Sequence, residues 1–217
     1  MKLYILNMKT DIARKEFILD QLNILKIKNY EFVEAVNGKE HISDNNCDRD
    51  KFKSQYCRDI LPGEWGCATS HIQIYDKIIE SNEISMILED DVIFDAEIIN
   101  IIKSAKPIPF DFDVIFLNKH HASNIFPNYG GTNEYLEYEN FRFEQLHTDR
   151  IKIGLMPYWT TASYIITPTA AKKVKQINTP KIHRLADSWY DFGLEKMFKS
   201  EKEFFKQNQK TFASTVR

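Results

Sequence analysis

The sequence predicts an α/β protein whose central sheet is mostly parallel and carries helices on both faces. Segments typical of strands and of helices alternate along the chain. Two of the strand segments, "ISMIL" (84–88) and "FDVIFLN" (112–118), are apolar at successive positions, as in central strands that helices cover on both sides. The 217 residues, 43% of them hydrophobic, suffice for one domain with a full core, or for one domain plus a small appendage.

The first predicted strand is "KLYILN" (2–7), and a helix follows in which Ile18, Leu22 and Leu25 recur at helical spacing. Thr10 or Asp11 is suited to cap that helix. The remaining predicted elements, in chain order, are a strand at 30–36, a polar irregular segment at 40–60, a helix at 63–81, the strand at 84–88, a helix at 95–105, the strand at 112–118, a loop-rich segment at 120–150, a strand at 158–167, a helix from Pro168, and a helical tail from Trp189. We assign residues 1–190 to the α/β domain and 191–217 to a C-terminal helical tail.

Composition excludes several classes of protein. The net charge of −2 provides no basic field for binding nucleic acid. The N-terminal apolar run is too short for the core of a signal peptide. The uncharged stretch at 153–171 contains a glycine and two prolines, which favour a strand, a turn and a helix start over a membrane span. Cys47, Cys57 and Cys67 fit neither a closed disulfide set nor a usual zinc pattern, so we expect reduced thiols in the cytoplasm.

Three adjacent carboxylates, Glu89, Asp90 and Asp91, follow the apolar strand at 84–88. Ligands of open α/β sheets bind beyond the carboxyl ends of the strands. Three clustered carboxylates repel one another, and partial burial raises the cost of keeping them ionised. A divalent cation such as Mn²⁺ or Mg²⁺ removes this conflict, and we expect Asp91 to bind it directly. If the backbone stays extended, Glu89 and Asp91 point to the same side. The alternative is a solvated acidic turn.

A second acidic pattern, "DFD" (111–113), precedes its strand and so falls on the opposite edge of the sheet. We assign it a turn or strand-entry role. At the other end of the same strand, Asn118, His120 and His121 follow on the same edge as the carboxylates, although a plain polar loop explains them equally well.

Arg14 lies in the first turn of its helix, where the helix dipole disfavours a cation and favours an anion. An arginine just after the first strand is well placed to bind a phosphate, and a plain surface arginine is the alternative. Ser70 and His71 lie in the helix that leads to the carboxylate strand, with His71 on its apolar face. A satisfied core histidine and a helix-surface serine are the structural alternatives.

Six stretches of the sequence match the motifs of one known enzyme family, in the order in which that family carries them. "GCATSH" and "MILEDDV", separated by a helix, form the most specific pair. The matching stretches are "LYILNMKTDIARKEFI", "FVEAVNGKE", "GEWGCATSHIQIYDKII", "ISMILEDDVIF", "DVIFLN" and "ASYIITPTAAKKV". Over roughly residues 1–190, the chain resembles glycosyltransferase family 25, the galactosyltransferase type of lipopolysaccharide biosynthesis that also occurs in collagen galactosyltransferases.

The resemblance implies a GT-A-type fold, a UDP-sugar donor, a divalent metal and inversion at the anomeric carbon. The expected activity is transfer of a hexose, galactose first, to an oligosaccharide or lipid-linked saccharide in lipopolysaccharide or lipooligosaccharide synthesis, in the cytoplasm or on the cytoplasmic face of the inner membrane. Two other functions remain open at this point. One is a metal-dependent phosphohydrolase, which also uses clustered carboxylates. The other is a non-catalytic nucleotide-sugar-binding module of the same fold.

The resemblance also gives roles to residues. Glu89 and Asp90 are expected to hold metal-bound waters or the donor ribose, with Glu89 as a second metal-site carboxylate. Asn118, His120 and His121 become candidates for contact with the acceptor. The residues expected to line the donor pocket are Asn7, Arg14, Ser70 and His71.

"HRLADSW" lies where the family carries a late aspartate. His183 and Asp187 are four residues apart and would share a face on a helical turn. We assign Asp187 as the general base, or else as a metal-site carboxylate, and His183 as a weaker candidate metal ligand. A solvated turn is the alternative. The apolar residues of the tail, set among lysines, are suited to a membrane surface or to a packed terminal helix.

Overall fold

The computed structural model describes residues 1–119, 131–148, 160–208 and 211. In chain order, its strands are β1 (Lys2–Asn7), β2 (Tyr30–Glu34), β3 (Ser85–Glu89), β4 (Val92–Phe94), β5 (Val114–Phe116), β6 (Gly131–Tyr138), β7 (Phe141–Leu146), β8 (Ser163–Ile166), β9 (Met197–Ser200) and β10 (Phe205–Gln207). Its helices are α1 (Ile12–Ile24), α2 (Gly38–His41), α3 (Arg49–Tyr56), α4 (Pro62–Ser81), α5 (Ile98–Ile102) and α6 (Pro168–Asn178).

Eight of these strands form one mixed sheet in the order β2-β1-β3-β8-β5-β9-β7-β6. β1 is parallel to β2 and β3, and β5 is parallel to β9. β8 is antiparallel to both of its neighbours, and β7 is antiparallel to β9 and β6. Setting β7 and β8 aside, the other six of the eight strands run in one direction. The predicted α/β class, with its mostly parallel sheet, is confirmed.

The sheet separates two apolar clusters. In β1, Leu3 and Ile5 belong to one cluster and Tyr4 and Leu6 to the other, as expected for alternating residues of a strand buried on both faces. Helices α1 and α5 cover the first face, and helices α4 and α6 cover the second. The carboxyl ends of β1, β3 and β5 are thereby held at one edge, together with the start of the reversed strand β8.

Helix α4 lies unusually close to the segment that follows β2. A Cβ atom built on Gly38 would lie 1.7 Å from the carbonyl oxygen of Pro62, and one on Gly66 would lie 2.5 Å from that of Val36. Neither distance is tolerated by a side chain, so only glycine allows this approach. The contact fixes the position of the helix that carries Cys67, Ser70 and His71.

Two predictions of irregular structure are wrong. The polar segment at 40–60 contains α3 and the end of α2, because the side chains of Asn37 and Asp48 cap these helices in the absence of apolar periodicity. The loop-rich segment at 120–150 contains the β6–β7 hairpin. Its turn residues Glu139 and Asn140 have φ values of 50° and 66°, as two-residue hairpin turns require.

The helix predicted for the tail is also wrong. A short 3₁₀ turn at Trp189–Asp191 is followed by β9, which lies inside the sheet between β5 and β7, and by β10, which pairs with β4. The apolar residues come as adjacent pairs, Met197–Phe198 and Phe204–Phe205, and such pairs suit strands or turns buried on both sides. All four are buried in the core, so they present no apolar surface to a membrane.

Within the described residues, no helix has the length and apolarity needed to cross a bilayer. Part of the uncharged stretch at 153–171 is described, and it forms β8 and the first turn of α6. The three cysteines are free thiols, as the sequence predicts.

Candidate active site

The three adjacent carboxylates stand where β3 ends at the edge of the sheet. The strand runs to Glu89, and the chain then turns at Asp90 and Asp91 before β4 begins. The condition for Glu89 and Asp91 to face the same side, an extended backbone, is therefore not met. The turn instead divides the site into two sides, which we call the Arg14 side and the Cys67 side.

On the Arg14 side, Asp90 is fully engaged by protein groups. Asn7 donates from Nδ2 to one carboxylate oxygen, and Arg14 donates from Nη1 to the other, each at 2.8 Å. Asp11, which also caps α1, lies 3.1 Å from Arg14 Nε. Asn7, Arg14 and Asp90 are all buried. The surface-arginine alternative is thus wrong, because Arg14 is the counter-charge that holds Asp90 in place.

Asp91 interacts with Arg14 only at a longer distance than Asp90 does. Its Oδ2 lies 3.9 Å from Arg14 Nη1, and its Oδ1 is buried without a hydrogen-bond partner among the described residues. Burial raises the pKa of Asp91, and the charge of Arg14 opposes this rise. An unsatisfied, buried carboxylate oxygen at a strand end is the kind of ligand that Mg²⁺ or Mn²⁺ uses, so the donor set at Asp91 fits the expected metal.

On the Cys67 side, Glu89 meets helix α4. One atom each of Cys67, His71 and Glu89 lie within 4.8 Å of one another, a group that could hold a metal ion. Thr161, two residues before β8, donates its hydroxyl to Glu89 Oε1. Burial, followed by the charge of Asp91, raises the pKa of Glu89 to about 7. Glu89 therefore titrates near neutral pH, unlike an exposed carboxylate.

His71 is buried and neutral. Its Nδ1 lies 2.7 Å from the hydroxyl of Tyr164, which in turn lies 2.8 Å from that of Tyr75. Burial lowers the pKa of His71 to about 3. Its Nε2 has no hydrogen-bond partner in the described part of the chain. The alternative of a satisfied core histidine is therefore only half true, because one ring nitrogen is satisfied and the other is not.

Asp187 joins the Cys67 side. It is half-buried, and burial raises its pKa, with a smaller contribution from the charge of Glu64. Its own charge adds to the burial that raises the pKa of Glu89 and of Cys67. Asp187 therefore lies within electrostatic range of both groups.

A family comparison decides the assignment of the chain. The sequence model described as glycosyltransferase family 25 (LPS biosynthesis protein) matches residues 1–189. The chain belongs to glycosyltransferase family 25. No curated protein shows significant sequence similarity to it. Membership makes this family 25 protein a glycosyltransferase with a nucleotide-sugar donor and a saccharide acceptor, on a fold consistent with the GT-A type.

A cavity of about 580 Å³ in this glycosyltransferase opens at the carboxyl ends of β1 and β2. It adjoins the Arg14 side through Met8, the residue after Asn7. Its polar lining includes Lys9, Thr10, Glu34, Asn37, Thr69 and Gln73. The cavity has the position that ligands of α/β sheets prefer and is large enough for a nucleoside.

Several predicted site residues of the glycosyltransferase have structural partners. The Ser70 hydroxyl accepts from Val36 N at 2.8 Å and donates to the carbonyl of Gly66 at 2.6 Å, which ties α4 to the segment after β2. Asn118 donates to Thr160 Oγ1 at 2.8 Å and accepts from Ser163, so it braces the start of β8. His120 and His121 lie outside the described residues.

His183 lies apart from the carboxylates of the family 25 site. Its Nδ1 is 3.2 Å from the carbonyl of Lys181, and burial lowers its pKa, with smaller contributions from Lys51 and Arg184. It lines a separate cavity of about 440 Å³ with these basic side chains. Residues 183–187 are not helical, so His183 and Asp187 do not share the predicted helical face.

The strand-entry role predicted for "DFD" is confirmed. The Asp113 carboxylate accepts from the backbone N–H groups of Glu195 and Lys196 at 2.8 and 3.2 Å. Sequence reasoning missed Cys67 and Thr161. For Cys67 a signal was available, because the spacing Cys67-x₃-His71 places both side chains on one face of a helix that also leads to the carboxylates.

Proposed function

We propose that this glycosyltransferase is a metal-dependent, inverting enzyme that transfers a hexose, galactose, from a UDP-sugar to a saccharide acceptor in lipopolysaccharide or lipooligosaccharide synthesis. The observation that supports this most directly is the contrast between Asp90, whose two oxygens are both occupied by protein donors, and Asp91, whose Oδ1 is buried and unpaired. A cation bound beside a donor diphosphate would satisfy that oxygen.

Asp91 would hold the ion. Asn7 and Arg14, which bind the neighbouring Asp90, would fix the orientation of the Asp91 side chain. When bound, Mn²⁺ or Mg²⁺ supplies positive charge to the leaving diphosphate. The nucleoside of the donor would occupy the cavity at the ends of β1 and β2, whose lining includes Met8, the residue after Asn7. The sugar would then project towards the Cys67 side, where Glu89 and Asp187 lie.

Asp187 is the residue that we assign as general base. Its carboxylate would take the proton of the attacking acceptor hydroxyl while that oxygen attacks the anomeric carbon from the face opposite the departing diphosphate, which inverts the configuration. Burial raises the pKa of Asp187, and a carboxylate of raised pKa is a stronger base than an exposed one. Glu89, whose pKa is raised to about 7, is the other candidate for proton transfer.

The test is a screen of UDP-galactose, UDP-glucose and UDP-N-acetylhexosamines as donors, with and without Mn²⁺, against lipooligosaccharide-derived acceptors. The expected result is UDP release that needs Mn²⁺ and is fastest with UDP-galactose. Release of free phosphate from nucleotides would support the phosphohydrolase instead. UDP binding without turnover against any acceptor would support a non-catalytic module.

We also propose a cytoplasmic location, because three free thiols suit a reducing compartment. Contact with the inner membrane, if it occurs, would have to use a surface other than the tail strands, whose apolar side chains are buried. Sedimentation with membrane fractions of the native host would test this point.

A further inference from the structure

The Cys67 side carries two side chains, Cys67 and His71, to which the proposed transfer reaction gives no role, and both lie close to Glu89. We propose that Cys67, His71 and Glu89 form a second metal site, distinct from the one at Asp91, that selects Zn²⁺ or another ion of similar softness. Thiolate and imidazole ligands favour such ions, whereas the oxygen ligands around Asp91 favour Mg²⁺ or Mn²⁺. Binding at this site does not depend on the proposed function.

The geometry supports a shared ion. Cys67 and His71 are four residues apart on α4 and so lie on one helix face, and Glu89 reaches them from the end of β3. Their ligand atoms lie within 4.8 Å of one another. Ligands bound to zinc at about 2.0–2.3 Å are themselves about 3.5 Å apart. The three side chains therefore need to close by about 1 Å, which rotation of Cys67 and Glu89 can supply.

An unpartnered polar atom points to a ligand. His71 is 1% exposed, yet its Nε2 has no hydrogen-bond partner in the described part of the chain. Leaving such a buried group unsatisfied is unfavourable, and a bound ion would satisfy it. The other ring nitrogen, Nδ1, is held by the Tyr164 hydroxyl, and Tyr75 holds that hydroxyl in turn. Metal-bound histidines commonly have such a partner on the second nitrogen.

The ligand Glu89 is also held by a hydrogen bond from outside the proposed site. Thr161 holds Oε1 of Glu89, and we assign the other oxygen, Oε2, to the ion. On binding, the thiol of Cys67 releases its proton to solvent, the neutral imidazole of His71 binds through the lone pair of Nε2, and Glu89 binds as the carboxylate. The two negative charges balance the divalent ion, and the ion relieves the repulsion among Glu89, Asp91 and Asp187.

A consequence follows that does rest on the proposed function. An ion held by Cys67, His71 and Glu89 would engage Glu89, the other candidate for proton transfer, on the same side of the site as the proposed base Asp187. We therefore expect Zn²⁺ to inhibit transfer supported by Mn²⁺, and Cys67→Ser to remove that inhibition.

The test is Co²⁺ titration of the purified protein after removal of metals by a chelator. The expected result is a thiolate-to-cobalt charge-transfer band at one equivalent, which Zn²⁺ abolishes by displacement. Cys67→Ser should lose the band, His71→Gln should weaken cobalt binding by more than tenfold, and Cys57→Ser, which removes an exposed thiol elsewhere, should keep it. Asp91→Asn should also keep it, so loss of transfer and loss of this site are distinguishable.

A second measurement uses only the unaltered chain. Alkylation by iodoacetamide is followed at each cysteine by mass spectrometry, with and without Zn²⁺. Zn²⁺ should slow alkylation of Cys67 by more than tenfold while leaving exposed Cys57 unchanged. Absence of a cobalt band in the unaltered protein, persistence of the band in Cys67→Ser, or equal protection of both cysteines would overturn the proposal.

Discussion

Asp90 and Glu89 are neighbours in sequence but lie in opposite electrostatic environments. Asp90 receives two hydrogen bonds of 2.8 Å, one of them from a buried arginine. Glu89 receives one from the neutral hydroxyl of Thr161. Burial, followed by the charge of Asp91, raises the pKa of Glu89 to about 7 against the effect of that hydrogen bond. Arg14 thus supplies a counter-charge to Asp90, whereas Glu89 has no basic side chain among the causes that set its pKa.

This difference separates residues that build the site from residues that are left reactive. A carboxylate whose charge is balanced internally fixes geometry, and one that is buried without balance changes protonation or binds a cation. Asp91 lies between the two cases, because Arg14 lies 3.9 Å from its Oδ2 and its Oδ1 has no hydrogen-bond partner among the described residues.

Asp91→Asn should abolish Mn²⁺-dependent transfer while leaving the fold intact, because the amide cannot supply the charge of the unpaired carboxylate. Turnover of the UDP-sugar with and without Mn²⁺ is the measurement. The matched control is Asp111→Asn at the strand-entry side, where the exposed carboxylate pairs with Lys196. Near-normal activity of Asp91→Asn would remove this residue from the metal site.

Arg14→Ala should lower the free energy of unfolding by about 3–5 kcal/mol, because it leaves Asp90 buried without its counter-charge. Urea unfolding measures this change. Adding Asp90→Asn to the same chain should recover part of the loss, since the amide carries no charge. A double variant as unstable as Arg14→Ala would contradict the counter-charge role.

The same variant tests whether Arg14 also contacts donor phosphate. If it does, Arg14→Ala should weaken UDP binding by roughly 1.5–3 kcal/mol, the range for a charged hydrogen bond. Calorimetry at a temperature where the variant is folded gives the affinity. Unchanged UDP binding would leave Arg14 with the positioning role alone.

Glu89→Gln should stabilise the protein at pH 8 by about 3 kcal/mol, with a chelator present. The pKa of Glu89 is raised from 4.5 unfolded to about 7 folded, so the group contributes stability below pH 4.5 that is lost as the pH rises through 7. Gln keeps the Thr161 hydrogen bond and does not titrate. Thermal unfolding at pH 4 and pH 8 should therefore give equal stabilities at pH 4 and a more stable variant at pH 8.

The control for this pH dependence is Glu31, which pairs with Lys2 and Lys77 and has a lowered pKa for that reason. Glu31→Gln should show the opposite trend, losing stability relative to the unaltered protein once the pH exceeds the unfolded pKa. A constant difference between Glu89→Gln and the unaltered chain across the pH range would show that Glu89 does not titrate near neutrality.

Asp187→Asn should reduce turnover by at least ~10²-fold, the lower range for a general base. If Asp187 is the base, the affinities for UDP and Mn²⁺ should hardly change. If it serves the metal, both should fall. Steady-state kinetics and calorimetry together separate the two roles, and full turnover in the variant would point to the segment after β5 instead.

The sequence predicted most of the sheet and the position of the site, because both depend on local patterns. An apolar run followed by carboxylates places Glu89 at a strand end. An N-cap followed by an arginine places Arg14 at the same edge of the sheet. What could not be predicted depends on a turn and on long-range contact. The turn at Asp90 and Asp91 sends adjacent side chains to different neighbours, and only the packing of α4 on β3 brings Cys67 to Glu89.

The tail shows the same limit. Residues 194–205 contain enough apolar positions to suit a helix, and only the partners decide otherwise. Lys199 is buried in β9, and its ammonium lies 3.0 Å from the carboxylate of Glu144 in β7. Without knowledge of that partner, a lysine in the middle of the segment indicates a solvated helix face.

The position of β9 in the sheet also determines the order in which parts of the sheet can pair while the chain is being synthesised. The β6–β7 hairpin is joined to the other strands of the sheet through β9, which is made some fifty residues later. Backbone N–H of Asn208, just past β10, also donates to the carbonyl of Asp91 at 2.6 Å. During synthesis, the edge of β7 that pairs with β9 therefore stays unpaired until residues 197–208 have left the ribosome. Until then the turn at Asp90 and Asp91 also lacks its hydrogen bond from Asn208. A chain stalled before that point would carry every proposed catalytic residue and still lack a finished site.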